Sequence, residues 1–423
     1  MFKLKIIRYY LQLLFRPRFR SREQLLRYQS RQLDRFARRV LTRSPFYRAF
    51  LEAGTALADL PVIGKAAFMA NFNTINTAGL ERDRCLERAV AAEQQKTFDS
   101  QIGEYTLGLS TGTSGNRGLF VASEAERARW AANIFYRVVK PRFRRQRVAF
   151  CLRANSKLYE SVRSVAFSFR FYDIAEPLNP LAAALTEQQP HILCAQPSLL
   201  RELARRRRQG TLPVTPRQLI SYAEVLDETD RSLIEGAFGV PITEIYQCTE
   251  GFLGHTCAHG TMHLNEDLVH FRRERIDDRR FYPILTDFTR TTQPVVNYRM
   301  NDILVLRDTP CPCGSPLTAL AGIEGRSDEV LSLDGQSIFP DLVRRRVVLA
   351  TNRIDDYAIH QTGPNRLDIF LESPVYAHAV EAVRRTFERW FAERGITGVE
   401  LCFYPTLPVH VAGTKRRRVR RLL

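Results

Sequence analysis

Nowhere does the 423-residue sequence hold an apolar run approaching the roughly 20 residues needed to cross a bilayer. Its basic start, Met1-Phe2-Lys3-Leu4-Lys5-Ile6-Ile7-Arg8, is broken by Arg8, and no small-residue cleavage site follows. That argues against a secretory leader and makes the cytoplasm the expected compartment. Internal repeats and low-complexity linkers are missing as well. Eight cysteines in a chain of this length do not amount to a disulfide framework. Acidic residues are in short supply: 45 Asp and Glu stand against 63 Lys and Arg, for a formal charge of +18. Much of the surplus sits in runs at 16–22, 35–43, 142–147, 205–208, 344–346 and 415–421. Such runs fit a nucleic acid, an acidic membrane or a polyanionic substrate. No nucleic-acid motif accompanies them, so solvated helix faces are the simpler account.

What is present describes a large folded protein. With 44% hydrophobic and 26% charged residues the composition is globular, and the length exceeds what one core usually serves, so two domains are expected. Up to about residue 51, apolar and aromatic side chains (Leu25, Leu26, Tyr28, Leu33, Phe36, Ala37, Val40, Leu41) recur at helical spacing among arginines. Basic amphipathic helices of this kind pack on their own core or lie on an anionic membrane surface. Further on, strand-like runs at 105–109, 147–152, 192–195, 219–222 and 242–246 alternate with helical patterns at 125–139, 198–209 and 227–238. This alternation argues for an α/β layer with largely parallel pairing, whose ligands sit at the carboxyl ends of the strands.

One stretch organises the rest. In Ser110-Thr111-Gly112-Thr113-Ser114-Gly115-Asn116-Arg117-Gly118 hydroxyls alternate with glycines. Glycine lets backbone N–H groups converge on an anion and the hydroxyls add donors, so the stretch reads as a phosphate-binding loop. It lacks the Gly-Lys-Ser/Thr ending of a P-loop NTPase. Three clusters follow strand-like runs downstream: Tyr246-Gln247-Cys248-Thr249-Glu250-Gly251, Tyr298-Arg299-Met300-Asn301-Asp302, and Gly322-Ile323-Glu324-Gly325-Arg326-Ser327-Asp328. An aromatic ring can stack on a purine, a carboxylate can hold Mg²⁺ on triphosphate oxygens, and an Asp can accept ribose hydroxyls.

From about Leu60 onward this order of motifs resembles the adenylate-forming superfamily of acyl-CoA synthetases, in particular its phenylacetate-CoA ligase branch. The Ser110 to Gly115 loop is similar to that family's Ser/Thr/Gly-rich loop, and Tyr246 to Glu250 to its Tyr-x-x-Thr-Glu motif. Tyr298, Arg299 and Asp302 match Tyr-Arg-x-x-Asp, and Gly325-Arg326-x-Asp328 matches the segment at the interdomain hinge. Gly413-x-Lys415 resembles the C-terminal Gly-Lys element, and Glu224 lies where the family has a Gly-x-Glu-x-Leu piece beside the adenine. Asn116-Arg117, Gln247 and the interposed Thr414 depart from the family pattern.

The resemblance implies an α/β large N-terminal domain of the adenylate-forming type over residues 1–327 and a small, mobile α+β C-terminal domain over 328–423. It implies an AMP-forming ligase that activates a carboxylic acid through an acyl-adenylate and passes it to coenzyme A. An AMP-forming carboxylate-amine ligase and a cofactor adenylyltransferase stay open within the superfamily, as does a non-catalytic nucleic-acid-binding relative. Catalysis would fall to Lys415, Glu250 and Thr249, with Glu250 holding Mg²⁺. ATP would lie against Ser110, Thr111, Gly112, Thr113, Ser114, Gly115, Glu224, Tyr246, Asp302 and Arg326, with Asp328 near the pivot. The acyl pocket would draw on Phe135, Tyr136, Tyr159, Tyr222 and Phe252, which fits an aryl or other hydrophobic acid.

The cysteines supply a second site. Cys257-x₅-His263 and, further on, Cys311-Pro312-Cys313-Gly314 offer three thiols and an imidazole. A Cys-x-Cys turn closed by Pro and Gly presents two thiolates to one ion, and the earlier Cys and His complete a closed, structural zinc site. His259 or Cys248 could replace His263. Members of the phenylacetate-CoA ligase branch carry metal-binding cysteines in this region. After Asp328 the pattern is helix 341–349, strands 357–361 and 366–371, helix 375–393 and strand 399–404, which suits helices on one face of an antiparallel sheet.

Overall fold

The structure, a computed structural model, describes residues 2–95, 100–109, 118–139, 145–152, 167–174, 177–326, 329–351, 353–409 and 417–423. Contacts divide the chain into two compact units, residues 1–300 with 306–322, and residues 301–305 with 323–423.

The first unit opens with the helices Phe2–Phe15, Arg22–Arg39 and Pro45–Glu52. Ser21 caps the second of these by accepting from the Gln24 N–H, while Glu23 in its first turn and Arg38 and Arg39 in its last oppose the helix dipole. The strands Gln101–Ile102, Tyr105–Leu109 and Leu119–Ala122 form a small antiparallel sheet. Leu109 pairs with Leu119, so the Gly/Ser/Thr loop joins two neighbouring strands.

Next comes the helix Glu124–Ile134, started by a capping box in which the Ser123 N–H donates to Glu126 Oε2 at 2.7 Å and the Glu126 N–H to Ser123 Oγ at 3.4 Å. Glu126 also accepts from the backbone N–H groups of Thr291 (2.6 Å) and Thr292 (3.0 Å), which moors the helix to a distant turn. The helical pattern at 125–139 changes pitch on the way: Phe135–Val139 is π-helical.

The central sheet starts with five parallel strands in the spatial order Phe167–Asp173, Gln146–Leu152, Ile192–Ala195, Gln218–Tyr222, Ile242–Cys248. Helices Leu178–Gln188, Pro197–Arg208 and Glu228–Phe238 provide the crossovers. Ile192–Ala195 is wholly buried, as a strand covered on both faces must be. Leu185, Leu193, Leu200, Leu203, Leu219 and Ile234 fill the core around it.

Parallel pairing stops at Cys248. Ile242–Cys248 turns back into Gly251–Thr256 as an antiparallel hairpin, which continues to Met262–Leu264. A further antiparallel set pairs Val269–Arg275 with Arg280–Asp287 and the latter with Val295–Arg299. The expectation of a largely parallel sheet therefore holds only for its first half. With no helix between them, consecutive strands can pair only by reversing.

The second unit has its own core, in which Trp390, Phe387, Val383, Ile359, Ile369 and Leu371 are buried. Its helices are Pro340–Ala350 and Tyr376–Arg394. Its four-stranded sheet corrects the antiparallel expectation: Asp356–Gly363 and Arg366–Glu372 are antiparallel, but the outer strands Glu400–Tyr404 and Val419–Arg421 each pair in parallel. The long helix carries the chain across before Glu400–Tyr404 is laid down, and such a crossover returns the strand in the same direction.

Candidate functional site

Thr249 and Glu250 form the tip of the hairpin that ends the parallel run. Cys248 pairs with Gly251, which leaves these two residues as the turn, at the carboxyl end of the last parallel strand. Both side chains are half-buried, and Thr249 Oγ1 donates to Glu250 Oε2 at 2.9 Å. Behind the turn, a Cβ on Gly251 would come within 2.7 Å of Asp287 Oδ2, so any larger residue here would have to displace that carboxylate. Arg290 Nη1 donates to the Thr249 carbonyl at 3.4 Å, and Trp130 Nε1 to Gln247 Oε1 at 3.1 Å. A hydroxyl and a carboxylate held side by side present hard oxygen donors, the set that Mg²⁺ prefers.

The neighbouring strands end in related ways. Glu224 follows Gln218–Tyr222 and accepts from the Ser198 N–H at 3.1 Å, across the start of helix Pro197–Arg208. Ala223 before it has φ 71°, a left-handed conformation that redirects the chain after the strand. Tyr222 stacks on Phe150 at 5.3 Å with 9° between the planes, and Phe171 meets Phe150 edge-on at 5.8 Å. These three rings, from the carboxyl-terminal halves of three strands, make an aromatic ledge. Tyr246, one strand further, is buried.

In the second unit, Arg326 Nε donates to Asp302 Oδ1 at 3.4 Å, which ties the Tyr-Arg-x-x-Asp and Gly-Arg-x-Asp segments together. The loop residues Ser110, Thr111, Gly112, Thr113, Ser114 and Gly115 lie outside the described residues, as do Tyr159, Asp328 and Lys415.

The proposed acyl-pocket residues separate. Phe135 is buried and stacks on Phe167 at 4.9 Å, Tyr136 packs edge-on against Tyr10 at 6.3 Å, and Phe252 is buried in the sheet. Phe135 and Phe252 are thus packed in the core, whereas Tyr136 is only half-buried against the N-terminal helix. Phe150 and Phe171, which sequence reasoning did not single out, stand beside Tyr222 instead. Their alternation within strands of known direction was the available signal.

The cysteine cluster is compact. One ligand atom from each of Cys257, His263, Cys311 and Cys313 lies within 4.8 Å of all the others, and neither His259 nor Cys248 joins them. Cys257 Sγ is 3.6 Å from Cys311 Sγ, and Cys313 Sγ is 3.4 Å from His263 Nε2. His263 Nδ1 sits 3.1 Å from the Leu317 carbonyl, a hydrogen bond that puts the proton on Nδ1 and turns the Nε2 lone pair to the thiols. Cys257 and the Cys311–Cys313 pair each sit on a tight turn: the Gly260 N–H donates to the Cys257 carbonyl and the Gly314 N–H to that of Cys311. Gly314, at φ 68°, supplies the left-handed step. Burial works against ionising the Cys311 thiol, but hydrogen bonds from Thr261, Cys313 and His263 bring it down to about 6. Burial pushes Cys313 up to about 11, and its charged neighbours add to this. Thiols and an imidazole at this separation suit a tetrahedral soft-ligand site and leave no open position.

Beside this cluster lies a group that the sequence did not reveal. Glu266 and Asp267, both buried, receive the N-terminal arginines: Arg22 pairs with Glu266, and Arg16 and Arg137 converge on Asp267, the latter at 2.6 Å. Burial alone would raise the Asp267 carboxyl, but the two guanidiniums outweigh it and hold it down to about 2. Nothing in local spacing links residues 16, 137 and 267.

No family model matches the chain. A stretch of 214 residues, 45% of this chain, is 24% identical to the phenylacetate-coenzyme A ligase of Thermus thermophilus, and it spans about half (48%) of that relative's length. Among solved structures, 2-hydroxyisobutyryl-CoA ligase in its postadenylation state is similar with a TM-score of 0.68 and 17% identity, covering 92% of this chain and 88% of that one. An open conformation of the same ligase with 2-HIB-AMP and CoA gives 0.60 and 18%, over 93% and 90%. An anthranilate CoA ligase in complex with anthranoyl-AMP gives 0.52 and 15%, over 73% and 65%.

Proposed function

We propose that this chain, which has the fold of the adenylate-forming ligases and resembles their phenylacetate-CoA ligase branch in sequence, activates a carboxylic acid with ATP and passes it to coenzyme A. The observation that carries this reading is the Thr249–Glu250 turn at the carboxyl end of the last parallel strand, one strand away from Glu224 and the Tyr222 ledge. In an open α/β sheet this edge is where ligands bind.

A carboxylate is a poor electrophile. Its oxygen attacks the α-phosphorus of ATP, the bond to pyrophosphate breaks, and the acyl-adenylate forms. Thr249 and Glu250 would hold a Mg²⁺ ion, whose charge neutralises the triphosphate. The Ser110 to Gly115 loop grips the phosphates, Glu224 and Tyr246 border the base, and Asp302 accepts the ribose hydroxyls while Arg326 orients it. Lys415 adds positive charge where the incoming carboxylate and the α-phosphate repel. The work is positioning and electrostatics throughout. The thiol of coenzyme A then attacks the acyl carbonyl and AMP leaves. Phe150, Phe171 and Tyr222 favour an aryl or otherwise hydrophobic acid. Cys257, His263, Cys311 and Cys313 would hold a structural zinc ion that pins the hairpin below Glu250 to the loop at 311–318. Among the described residues no helix is long and apolar enough to cross a membrane.

The test is pyrophosphate release across a panel of aryl and aliphatic acids, with and without coenzyme A. Acid-dependent release is expected, and Glu250→Ala should lower it by about a hundredfold or more with the melting temperature unchanged. Release without any thioester would move the acceptor to an amine or a cofactor. Full turnover in Glu250→Ala would overturn the assignment of that carboxylate.

A further inference from the structure

The helix Phe2–Phe15 has two apolar faces, and the described residues cover only one of them. Ile6 is buried, Tyr10 meets Tyr136 at 6.3 Å, Lys5 bonds to Glu124 at 2.8 Å, and Arg127 and Arg129 lie over the rings of Phe2 and Tyr9. These contacts fix the rotation of the helix against Glu124–Ile134. Just beyond its end, Arg16 is anchored on the buried carboxylate of Asp267. The opposite face points to solvent and carries Leu4, Ile7, Leu11, Leu14 and Phe15, each between 43% and 78% exposed. At 100° per residue these five fall within one stripe about 100° wide. Exposed Lys3 and Arg8 border it, one on each side. Isolated exposed apolar side chains are ordinary, but five aligned on a helix held by its other face mark a surface that binds something.

We propose that this face lies on the surface of an anionic lipid bilayer, with the stripe in the acyl boundary and the basic residues among the headgroups. Charge chooses this partner. Residues 2–22 contain Lys3, Lys5, Arg8, Arg16, Arg18, Arg20 and Arg22 and no acid, and Arg18 and Arg20 are exposed just past the helix. A second copy docking here about a two-fold axis would oppose these like charges. An anionic membrane satisfies both the apolar stripe and its basic border, and in-plane helices of this composition bind such surfaces. The helix, at 14 residues, is too short to span and is suited to lying flat. The inference does not depend on what the protein catalyses.

The test is flotation of the full chain with vesicles of phosphatidylcholine plus phosphatidylglycerol, against phosphatidylcholine alone. The protein should float with the anionic vesicles and less so as salt is raised. Ile7→Glu with Leu11→Glu should reduce partitioning about tenfold or more, since acids then replace apolar groups in the boundary. Lys3→Glu with Arg8→Glu leaves the stripe intact and should abolish the preference for anionic lipid. All four side chains are exposed, and circular dichroism should be unchanged in both variants. Failure of the unmodified chain to float overturns the proposal, as does equal partitioning by all three proteins. Self-association in solution that Ile7→Glu with Leu11→Glu abolishes would give the face to a second copy instead.

Discussion

Two buried aspartates show how the same residue type acquires opposite pH behaviour from its neighbours. Asp267 is depressed to about 2 because Arg137 and Arg16 overcome its burial. It therefore stabilises the fold above its unfolded value near 3.8, and that contribution is lost as the pH falls from about 4 to about 2. Removing it strands Arg137, whose side chain is only 6% exposed, so Asp267→Ala should cost about 3–5 kcal/mol in urea denaturation at neutral pH. Asp287 sits under the Thr249–Glu250 turn, and burial raises it to about 6 despite hydrogen bonds from the Thr289 hydroxyl and N–H. Here the folded state holds the proton more tightly than the unfolded chain. Its contribution to stability grows as the pH falls from about 6 towards 3.8 and is smallest above 6. Asp287→Asn should flatten that part of the stability profile, measured by denaturation midpoints across this range. Neither behaviour can be read from sequence, because the decisive partners are 130 to 251 residues away or come from the density of the core.

At the scale of elements, the knuckle at 257–263 and the loop at 311–314 each hold half of a ligand set. Short spacing and turn residues made both halves legible. The spacing put His263 first and left His259 and Cys248 as alternatives, and the strand Met262–Leu264 brings the His263 ring to the thiols of the facing loop. Purified protein is expected to carry about one zinc per chain by elemental analysis. Cys311→Ser or exhaustive chelation should remove it and destabilise the first unit by about 4 kcal/mol or more in thermal denaturation. Metal-free protein with an unchanged melting curve would exclude a structural ion. Helices and strands were legible wherever their period ran unopposed, as in Ile192–Ala195 and Tyr376–Arg394. Residues 135–139 kept a helical pattern yet took a wider turn, since hydrophobic spacing does not separate α from π pitch.

At the scale of the whole molecule, each unit has buried clusters of its own and one of the two tryptophans: Trp130 half-buried in the first, Trp390 buried in the second. Units with separate cores can unfold separately. In a Trp130→Phe variant, fluorescence reports the second unit while far-ultraviolet circular dichroism is weighted to the larger first one. The two urea midpoints should differ, and coincident curves would show a single cooperative block.

The succession of elements, the order of the motifs and the two halves of the cysteine site were legible in the chain alone, because each depends on residues within a turn or a strand of one another. It took the folded chain to show which strands pair in parallel, which aromatic rings stand at the strand ends, which carboxylates meet the N-terminal arginines, and which face of Phe2–Phe15 stays uncovered among the described residues. Those outcomes are set by packing between segments far apart in the chain, and local periodicity carries no record of the partner.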